Sequence, residues 1–474
     1  MGSISAKLST QPFYFWILLF RFDPENPVNS VYSVMKYVFV WDSPGECMKT
    51  FDVAVVGGGP GGYTVASRLA RLGKSVVLFE RKRLGGSCLH VGCIPTKLLA
   101  SAATRYHMIT RESKSWGINV ENVTLDFKVL VDRTARTVSV LERGIDSMLK
   151  TAGITVVVGE ASVKSKDCVT CGGEDYKISA LVLAQGSRPR VLSSLPVGGN
   201  VVSSDELLTE MRLPQSLLIV GAGVIGLEFA CLYAQLGVKV RLGDVASGIL
   251  PGMDTEAAQI LLNSVRKLGV EVELGAATVA PKDEELVLVA VGRTPNADAA
   301  GVAGLGLKMD GPRVSVKGNQ ETSVADVYAV GDLSAKYPYA HTAYEHARIV
   351  AASLSGKLGT MDDNKVPHVV FTSPEIASVG LTEEAAKAAG YEVKVIKNNW
   401  AANSKARILG EIQGWGKLVA DAKTGRILGA HLVGPEATDL IGEACVLVGK
   451  GHTLEDLDGI LHPHPTLNEI FAGH

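Results

Sequence analysis

The chain has 474 residues, 51 of them glycine, with seven cysteines and a formal net charge of −2. At about 150 residues per domain this length accommodates roughly three domains, and a charge so near zero gives no polyanion-binding signal, so nucleic acid is not an expected partner. An odd number of cysteines scattered through a large chain does not form a secreted disulfide framework, and a reducing cytoplasm is the expected compartment.

Residues 1–47 differ from the rest. Phe13 to Phe20 is an apolar run too short to span a bilayer. It is followed by Arg21-Phe22-Asp23-Pro24 and not by the small residues of a cleavage site. No membrane attachment is expected, and residues 1–47 are expected to be an upstream extension outside the fold, with Met48 directly before the first strand.

Phe51 to Val56 reads as a buried parallel strand that turns through Gly57-Gly58-Gly59-Pro60-Gly61-Gly62 into a helix over Tyr63 to Ala70. Gly57 permits the tight turn, Gly59 lets backbone approach a pyrophosphate, and Gly62 lets the helix pack on the strand. A second strand, Ser75 to Phe79, ends at Glu80, placed to accept hydrogen bonds from an adenosine ribose.

Next come Gly85-Gly86-Ser87-Cys88 and, five positions on, Cys93-Ile94-Pro95-Thr96-Lys97. The run from Ile94 reads as a helix with Pro in its opening turn. Cys93 then lies at a helix N-terminus, where unpaired N–H groups favour a thiolate, and Lys97 returns on the same face. Beside a bound cofactor, two such thiols can pass electrons as a reversible disulfide; a static disulfide is the alternative reading. Cys168 and Cys171 form a second CxxC in an expected hairpin with no helix after it, and read as chance surface cysteines.

The glycine unit then recurs. Leu217 to Val220 leads into Gly221-Ala222-Gly223-Val224-Ile225-Gly226, a helix runs from Leu227 to Leu236, and Val238 to Leu242 reaches Asp244. Gly57 to Glu80 and Gly221 to Asp244 each span 23 positions. Two dinucleotides are therefore expected, a flavin nucleotide beside the thiols and a nicotinamide nucleotide in the second unit. The acid at Asp244 favours NAD over NADP, and Arg241, three residues earlier on the strand, is expected to point elsewhere.

Val327 to Val330 reads as a strand leading to Asp332, and Ala340-His341 opens a helix. From about Pro367 a mixed α/β segment carries expected strands at Phe371 to Gly380, Trp415 to Ala420 and Ile427 to Val433, with helices at Glu383 to Ala389 and Thr438 to Lys450. Near the end, His464 stands between Pro463 and Pro465, five positions before Glu469. A His held by a carboxylate can take a proton from a thiol near neutral pH. His462 lies two residues from His464 with no third ligand nearby, so no metal is expected.

In combination these residues resemble the FAD-dependent pyridine nucleotide-disulfide oxidoreductases. The motifs are the Cys88 to Lys97 run, Val291-Gly292-Arg293-Thr294-Pro295-Asn296, Ala329-Val330-Gly331-Asp332, Ala401-Ala402-Asn403-Ser404-Lys405-Ala406, and His462 to Glu469. The resemblance runs from about Met48 to the C-terminus and implies an α/β fold. Two Rossmann-like dinucleotide-binding domains would be followed by a C-terminal α/β interface domain. It divides the chain into a FAD domain at 48–190, an NAD domain at 191–296, a central segment at 297–355 completing the FAD site, and an interface or dimerisation domain at 366–474.

By resemblance Cys93 faces the flavin as the charge-transfer thiolate, Cys88 exchanges with substrate, and Lys97 sits near the flavin N5, paired with Glu228. Gly86 and Ser87 line the flavin, Ala161 meets the adenine through its backbone, Asp332 binds the ribityl chain, and the helix opened by Ala340 favours the reduced flavin's negative charge. Gly292 and Arg293 border the second nucleotide. His464 and Glu469 come from a partner subunit, which makes the active site a property of a homodimer.

The implied activity is oxidation of dihydrolipoamide, carried on the lipoyl domain of a 2-oxoacid dehydrogenase or glycine cleavage complex, with electrons passing through FAD to NAD. Glutathione or mercuric reduction, or a non-catalytic flavin-binding subunit, are the alternatives. Asp244 argues against NADP, and no cysteine follows Cys445 to form a C-terminal pair. Three features depart from the pattern: residues 275–285 replace a longer β-meander and so reduce an edge of the NAD domain, Gln185 stands in a Thr position, and His346 stands where Gly is common.

Overall fold

The computed structural model describes residues 14–18, 34–38, 48–299 and 301–472. It divides into two units, Met1–Lys49 and Thr50–His474. In the first, Tyr14–Leu18 and Val34–Val38 pair antiparallel; the rest of the expected extension lies outside the described residues.

In the second unit, Lys49–Val56, Val76–Glu80 and Thr155–Val158 run parallel in one sheet, with Glu174–Leu183 on the other side of the first of them. A parallel sheet is covered on both faces and so demands unbroken apolar strands, and Val76–Glu80 is buried at every position. Helix Pro60–Arg71 follows the first glycine loop. The hairpin strands Ala161–Ser165 and Cys168–Cys171 continue the sheet through the start of Glu174–Leu183. Far along the chain, Val327–Ala329 returns to pair in parallel with Leu181, Val182 and Leu183. Helix Ala340–Ser353 then packs on the first helix, where a Cβ on Gly61 would lie 3.6 Å from that of Ala343.

The second glycine unit builds its own parallel sheet in the order Val201–Ser203, Leu286–Val289, Ser216–Val220, Lys239–Asp244, Glu271–Leu274. Helices Val224–Gln235 and Thr255–Lys267 cover one face. The third sheet is antiparallel, ordered His368–Val370, Glu375–Gly380, Ile427–Gly434, Trp415–Asp421, Val393–Asn399, with helix Ala437–Lys450 packed on it.

The expected continuous strand Phe371 to Gly380 is broken. Residues 371–374 leave the sheet, because Pro374 has no N–H to offer a ladder, Thr372 Oγ1 donates to Pro374 O at 2.7 Å, and the Phe371 N–H is taken by Glu228 of helix Val224–Gln235. The largest core joins all three regions: Leu99 and Ala103 of helix Cys93–His107, Leu217 and Ile219 of the second sheet, and Val370, Ile376, Trp415 and Val433 of the third. Each fully buried Leu or Ile contributes about 1.5–3 kcal/mol.

Candidate active site

A cleft of about 1830 Å³ opens at the carboxyl ends of the first two sheets. That is where open α/β sheets bind ligands, and it exceeds the roughly 300–1,000 Å³ of a site for one drug-sized molecule. Of the catalytic and cofactor-binding residues expected from the sequence, all line this cleft except Gly62, Gly226, His464 and Glu469.

The two glycine loops place their first and last glycines alike. Gly57 (φ +109°) and Gly221 (φ +114°) adopt backbone closed to other residues, and a Cβ would come within 2.3 Å of Ala184 O and 2.5 Å of Ala290 O. Gly62 and Gly226 sit behind, in the helices, where a Cβ would lie 1.8 and 1.9 Å from the carbonyl oxygens of Gly57 and Gly221. The middle glycines are different. A Cβ on Gly223 would meet nothing within 4 Å, and one on Gly59 only Gly86 Cα at 3.8 Å. Both are helix N-caps without a side-chain cap, so the first N–H groups of two helices face bare backbone and open cleft. This arrangement fits two pyrophosphates.

Each strand-end acid is locked by backbone. Glu80 accepts from the N–H of Gly58 at 2.8 Å and of Lys82 at 2.7 Å; Asp244 accepts from Ala222 at 2.7 Å and Ala246 at 2.8 Å. A carboxylate has about four acceptor sites, so both acids retain lone pairs for a ribose diol. Arg241 does turn away from Asp244's position: it is buried, with its guanidinium bonded to Glu284, Glu273 and Ala280 O.

Cys88 lies in the short helix Gly86–Val91, which was not evident in the sequence, and Cys93 opens helix Cys93–His107. Both thiols are free and hydrogen-bonded to each other. Donation from Cys88, helped by the Lys97 charge, holds the Cys93 thiol below its ordinary value against the opposing effect of burial. Cys88 is pushed the other way by the same bond and by burial. Lys97 Nζ bonds Glu228 Oε2 at 2.8 Å and lies 4.4 Å from the Phe371 ring centroid, while Glu228 Oε1 accepts from the Phe371 N–H at 3.0 Å. The pairing of Lys97 with Glu228 thus gains a third member from the C-terminal region.

Asp332 accepts from Ser187 Oγ at 2.5 Å, and Ser187 Oγ in turn accepts from Arg293 Nε at 2.8 Å, whose Nη1 reaches Asp205 at 3.0 Å. Burial raises the Asp332 carboxyl. Ala161 and the start of helix Ala340–Ser353 also border the cleft, and His341 Nε2 meets Pro367 O at 2.8 Å. Gln185 is a cleft residue whose two carboxamide atoms are buried with no hydrogen-bond partner among the described residues, a donor and an acceptor suited to a polar ligand. Cys168 and Cys171 alternate along one strand, and Cys171 packs beneath Gly159. Three residues apart on a strand, they point to opposite faces.

His346 is buried, and its Nδ1 accepts from the Gly331 N–H at 3.3 Å beside Asp332. Burial lowers it from 6.5 to about 4, and His368 likewise. A proton taken up by the unfolded chain but refused by the fold destabilises the fold. The contribution of these groups is therefore present above pH 6.5 and is lost as pH falls toward 4. The urea midpoint is expected to be lower at pH 5 than at pH 7.5, with a smaller difference in His346→Asn; equal differences would contradict this.

His464 and Glu469 lie outside the cleft, on the surface of the C-terminal region. His464 Nδ1 pairs with Glu469 Oε1 at 2.8 Å, and Glu469 Oε2 accepts from the Thr466 N–H at 2.7 Å. That backbone bond and His464 hold the Glu469 carboxyl below its usual range. Nδ1 is occupied, so Nε2 is the ring nitrogen left for a substrate, and the side chain is 67% exposed. His462 is held instead by Glu443 at 2.8 Å, so the two histidines serve different carboxylates. Among the described residues no group of three or more His, Cys, Asp or Glu is placed to hold a metal ion, and no helix is long and apolar enough to cross a membrane.

Residues 51–347 match the family model for pyridine nucleotide-disulphide oxidoreductases, and residues 366–473 match the dimerisation domain of that family. The dihydrolipoyl dehydrogenase of Chlorobaculum parvum is 36% identical over 446 residues, covering 88% of this chain and 95% of the relative. That of Thermus scotoductus is 38% identical over 445 residues, covering 89% and 96%. Among solved structures, LpdA from Mycobacterium tuberculosis superposes with a TM-score of 0.82 at 24% identity over 89% of this chain and 97% of that one. The HOCl-induced flavoprotein disulfide reductase RclA from Escherichia coli, in its Cu(II) complex, gives 0.80 at 26% identity over 90% and 98%.

Proposed function

The chain belongs to the pyridine nucleotide-disulphide oxidoreductase family, and from that premise we propose that it oxidises dihydrolipoamide through Cys88, Cys93, FAD and NAD. The observation that carries this reading is the thiol pair with its polarised proton, seated in one cleft with two dinucleotide loops. FAD, when bound, supplies the two-electron acceptor between the thiols and the nicotinamide, and NAD accepts the final hydride.

The protein's own steps are exchange and proton transfer. In the oxidised pair a substrate thiol gives its proton to His464 and the thiolate attacks Cys88, so that a substrate–Cys88 disulfide forms as the Cys88–Cys93 bond breaks. Cys93 departs as a thiolate, stabilised by the Lys97 charge. The second substrate thiol then loses its proton to the departing Cys88 as its sulfur attacks its own partner; the substrate closes to a disulfide, Cys88 leaves as a thiol, and His464 releases the first proton to solvent. With FAD bound, the pair would return to the disulfide by giving up two electrons and the Cys88 proton on the cofactor side of Cys93. Glu228 holds Lys97 in place, and Glu469 holds the Nδ1 of His464.

Because His464 lies away from the cleft of its own chain, the complete site is that of a homodimer in which each subunit lends His464 and Glu469 to the other. The substrate would be presented by a lipoyl-bearing carrier domain of a 2-oxoacid dehydrogenase or glycine cleavage complex. The cysteine usage favours a cytoplasmic location. Purified protein should show a bound-flavin spectrum and reduce NAD in the presence of dihydrolipoamide. Bound flavin without such turnover would reject the substrate assignment.

A further inference from the structure

Residues 275–285 are not a bare connection. They are fastened at both ends. At the start, the Gly275 N–H bonds Ala246 O at 2.9 Å, and Ala246 N–H is itself bonded to Asp244 Oδ1. At the end, Arg241 donates from Nε to Glu284 Oε1 at 2.7 Å and from Nη2 to Ala280 O at 2.8 Å, and Glu284 Oε2 takes the Lys282 N–H at 2.7 Å. Between these ties Val279 drops onto the sheet at Gly243, where a Cβ would come within 2.5 Å of it, and packs with Leu218, Val220 and Val287. The exposed residues Ala277, Thr278, Ala280 and Pro281 are left lining the cleft beside Asp244 and Val245.

The energetics say this is a built wall. A guanidinium as buried as Arg241 is tolerated only when its donors are met, and here they are met almost wholly by the segment and by Glu273 next to it. The small cluster under Val279 has only three fully buried members, so it cannot hold the segment by apolar packing alone. A charged latch at fixed bond lengths supplies the missing definition.

Building on the assignment of the Gly221 half of the cleft to NAD, we propose that residues 276–284 form the adenosine-side wall of that site. Arg241 is its positioning residue: it never touches the nucleotide and acts by fixing Ala277 to Pro281 against it. The part of it that lines the cleft, Ala277 to Pro281, carries no charge and suits an adenine face, and Arg241, on the strand that ends at Asp244, is consumed in holding it.

The test uses the full-length flavin-loaded protein, titrated with NADH by fluorescence and, separately, with reduced nicotinamide mononucleotide, which lacks the adenosine half. Arg241→Met should weaken NADH binding about tenfold, since a small misplacement of a binding surface is costly. Arg241→Lys should recover most of that loss. Ala277→Trp, at an exposed position that does not disturb the latch, should weaken NADH to a similar degree and guards against a folding defect in the first variant. The mononucleotide affinity and flavin reduction by dithiol without pyridine nucleotide should be unchanged in all three. NADH affinity within twofold of wild type in folded Arg241→Met and Ala277→Trp would overturn the proposal, as would equal loss of mononucleotide binding. Wild-type protein that binds no NADH would bring down the cofactor assignment and the wall together. NADH binding weakened in the variants of a protein that fails to oxidise dihydrolipoamide would sustain the wall and reject only the substrate.

Discussion

His464→Gln is expected to lower dihydrolipoamide turnover by roughly 10²–10⁴-fold, the usual effect of losing a general acid–base group. The geometry explains why so little else should change. The side chain is largely exposed, makes its bond to Glu469 alone, and stands outside the cleft that takes the cofactors. Flavin content, thermal stability and NADH oxidation by a dye should therefore stay near wild type, because none of them needs a thiol to lose a proton. Glu469 keeps its carboxylate charged through the Thr466 N–H bond even without the His. Steady-state kinetics with dihydrolipoamide, run beside the dye assay, decide the matter. Lipoamide turnover within threefold of wild type would remove His464 from its role.

A larger loss is expected at Cys88. Replacing it by Ser or Ala removes the sulfur proposed to form the mixed disulfide, and turnover should fall by roughly 10⁴-fold or more, as when a nucleophile is deleted. The two replacements should part company at Cys93. Its thiolate is favoured first by the hydrogen bond from Cys88 and then by Lys97. Ser can still donate that bond and Ala cannot, so the pH midpoint for alkylation of Cys93 should be higher in Cys88→Ala than in Cys88→Ser. Equal midpoints would mean that Lys97 and the helix start alone set the charge. Residual lipoamide turnover above about one per cent in Cys88→Ala would point to Cys93 as the exchanging sulfur.

What could be read from the sequence is what depends on local backbone. The glycine spacings of both loops, the acids at Glu80 and Asp244, and the placement of Cys93 at a helix start all follow from residues within one βαβ unit or one helical turn, and they converge on the same cleft. The elements that escaped reading depend on partners far along the chain. Nothing near Phe371 indicates that its N–H belongs to Glu228, 143 positions earlier, and that bond is one reason the expected strand breaks there. Arg241 could be assigned a direction from strand alternation, but its latch needs Glu284, 43 positions on. The substitutions at Gln185 and His346, opaque in the sequence, acquire reasons only in place: one leaves an unpartnered carboxamide in the cleft, the other supplies the acceptor for the Gly331 N–H. The short helix holding Cys88 was hidden because a glycine-rich run with few apolar positions has no readable period.

The shared core has a consequence for how this molecule fails. Regions within a chain that meet through small polar interfaces can fray independently. Here Leu99, Leu217 and Trp415 belong to one apolar cluster, and the buried ion pair Lys417–Asp254 joins the third sheet to the N-cap of helix Thr255–Lys267. Unfolding of the second sheet, the third sheet and the helix that Cys93 opens is therefore expected to be coupled. A lesion in the third sheet, remote in sequence from either cofactor loop, loosens the floor under Cys93 as surely as one in the loops themselves. Damage at the subunit interface and loss of flavin should then be two symptoms of the same opening.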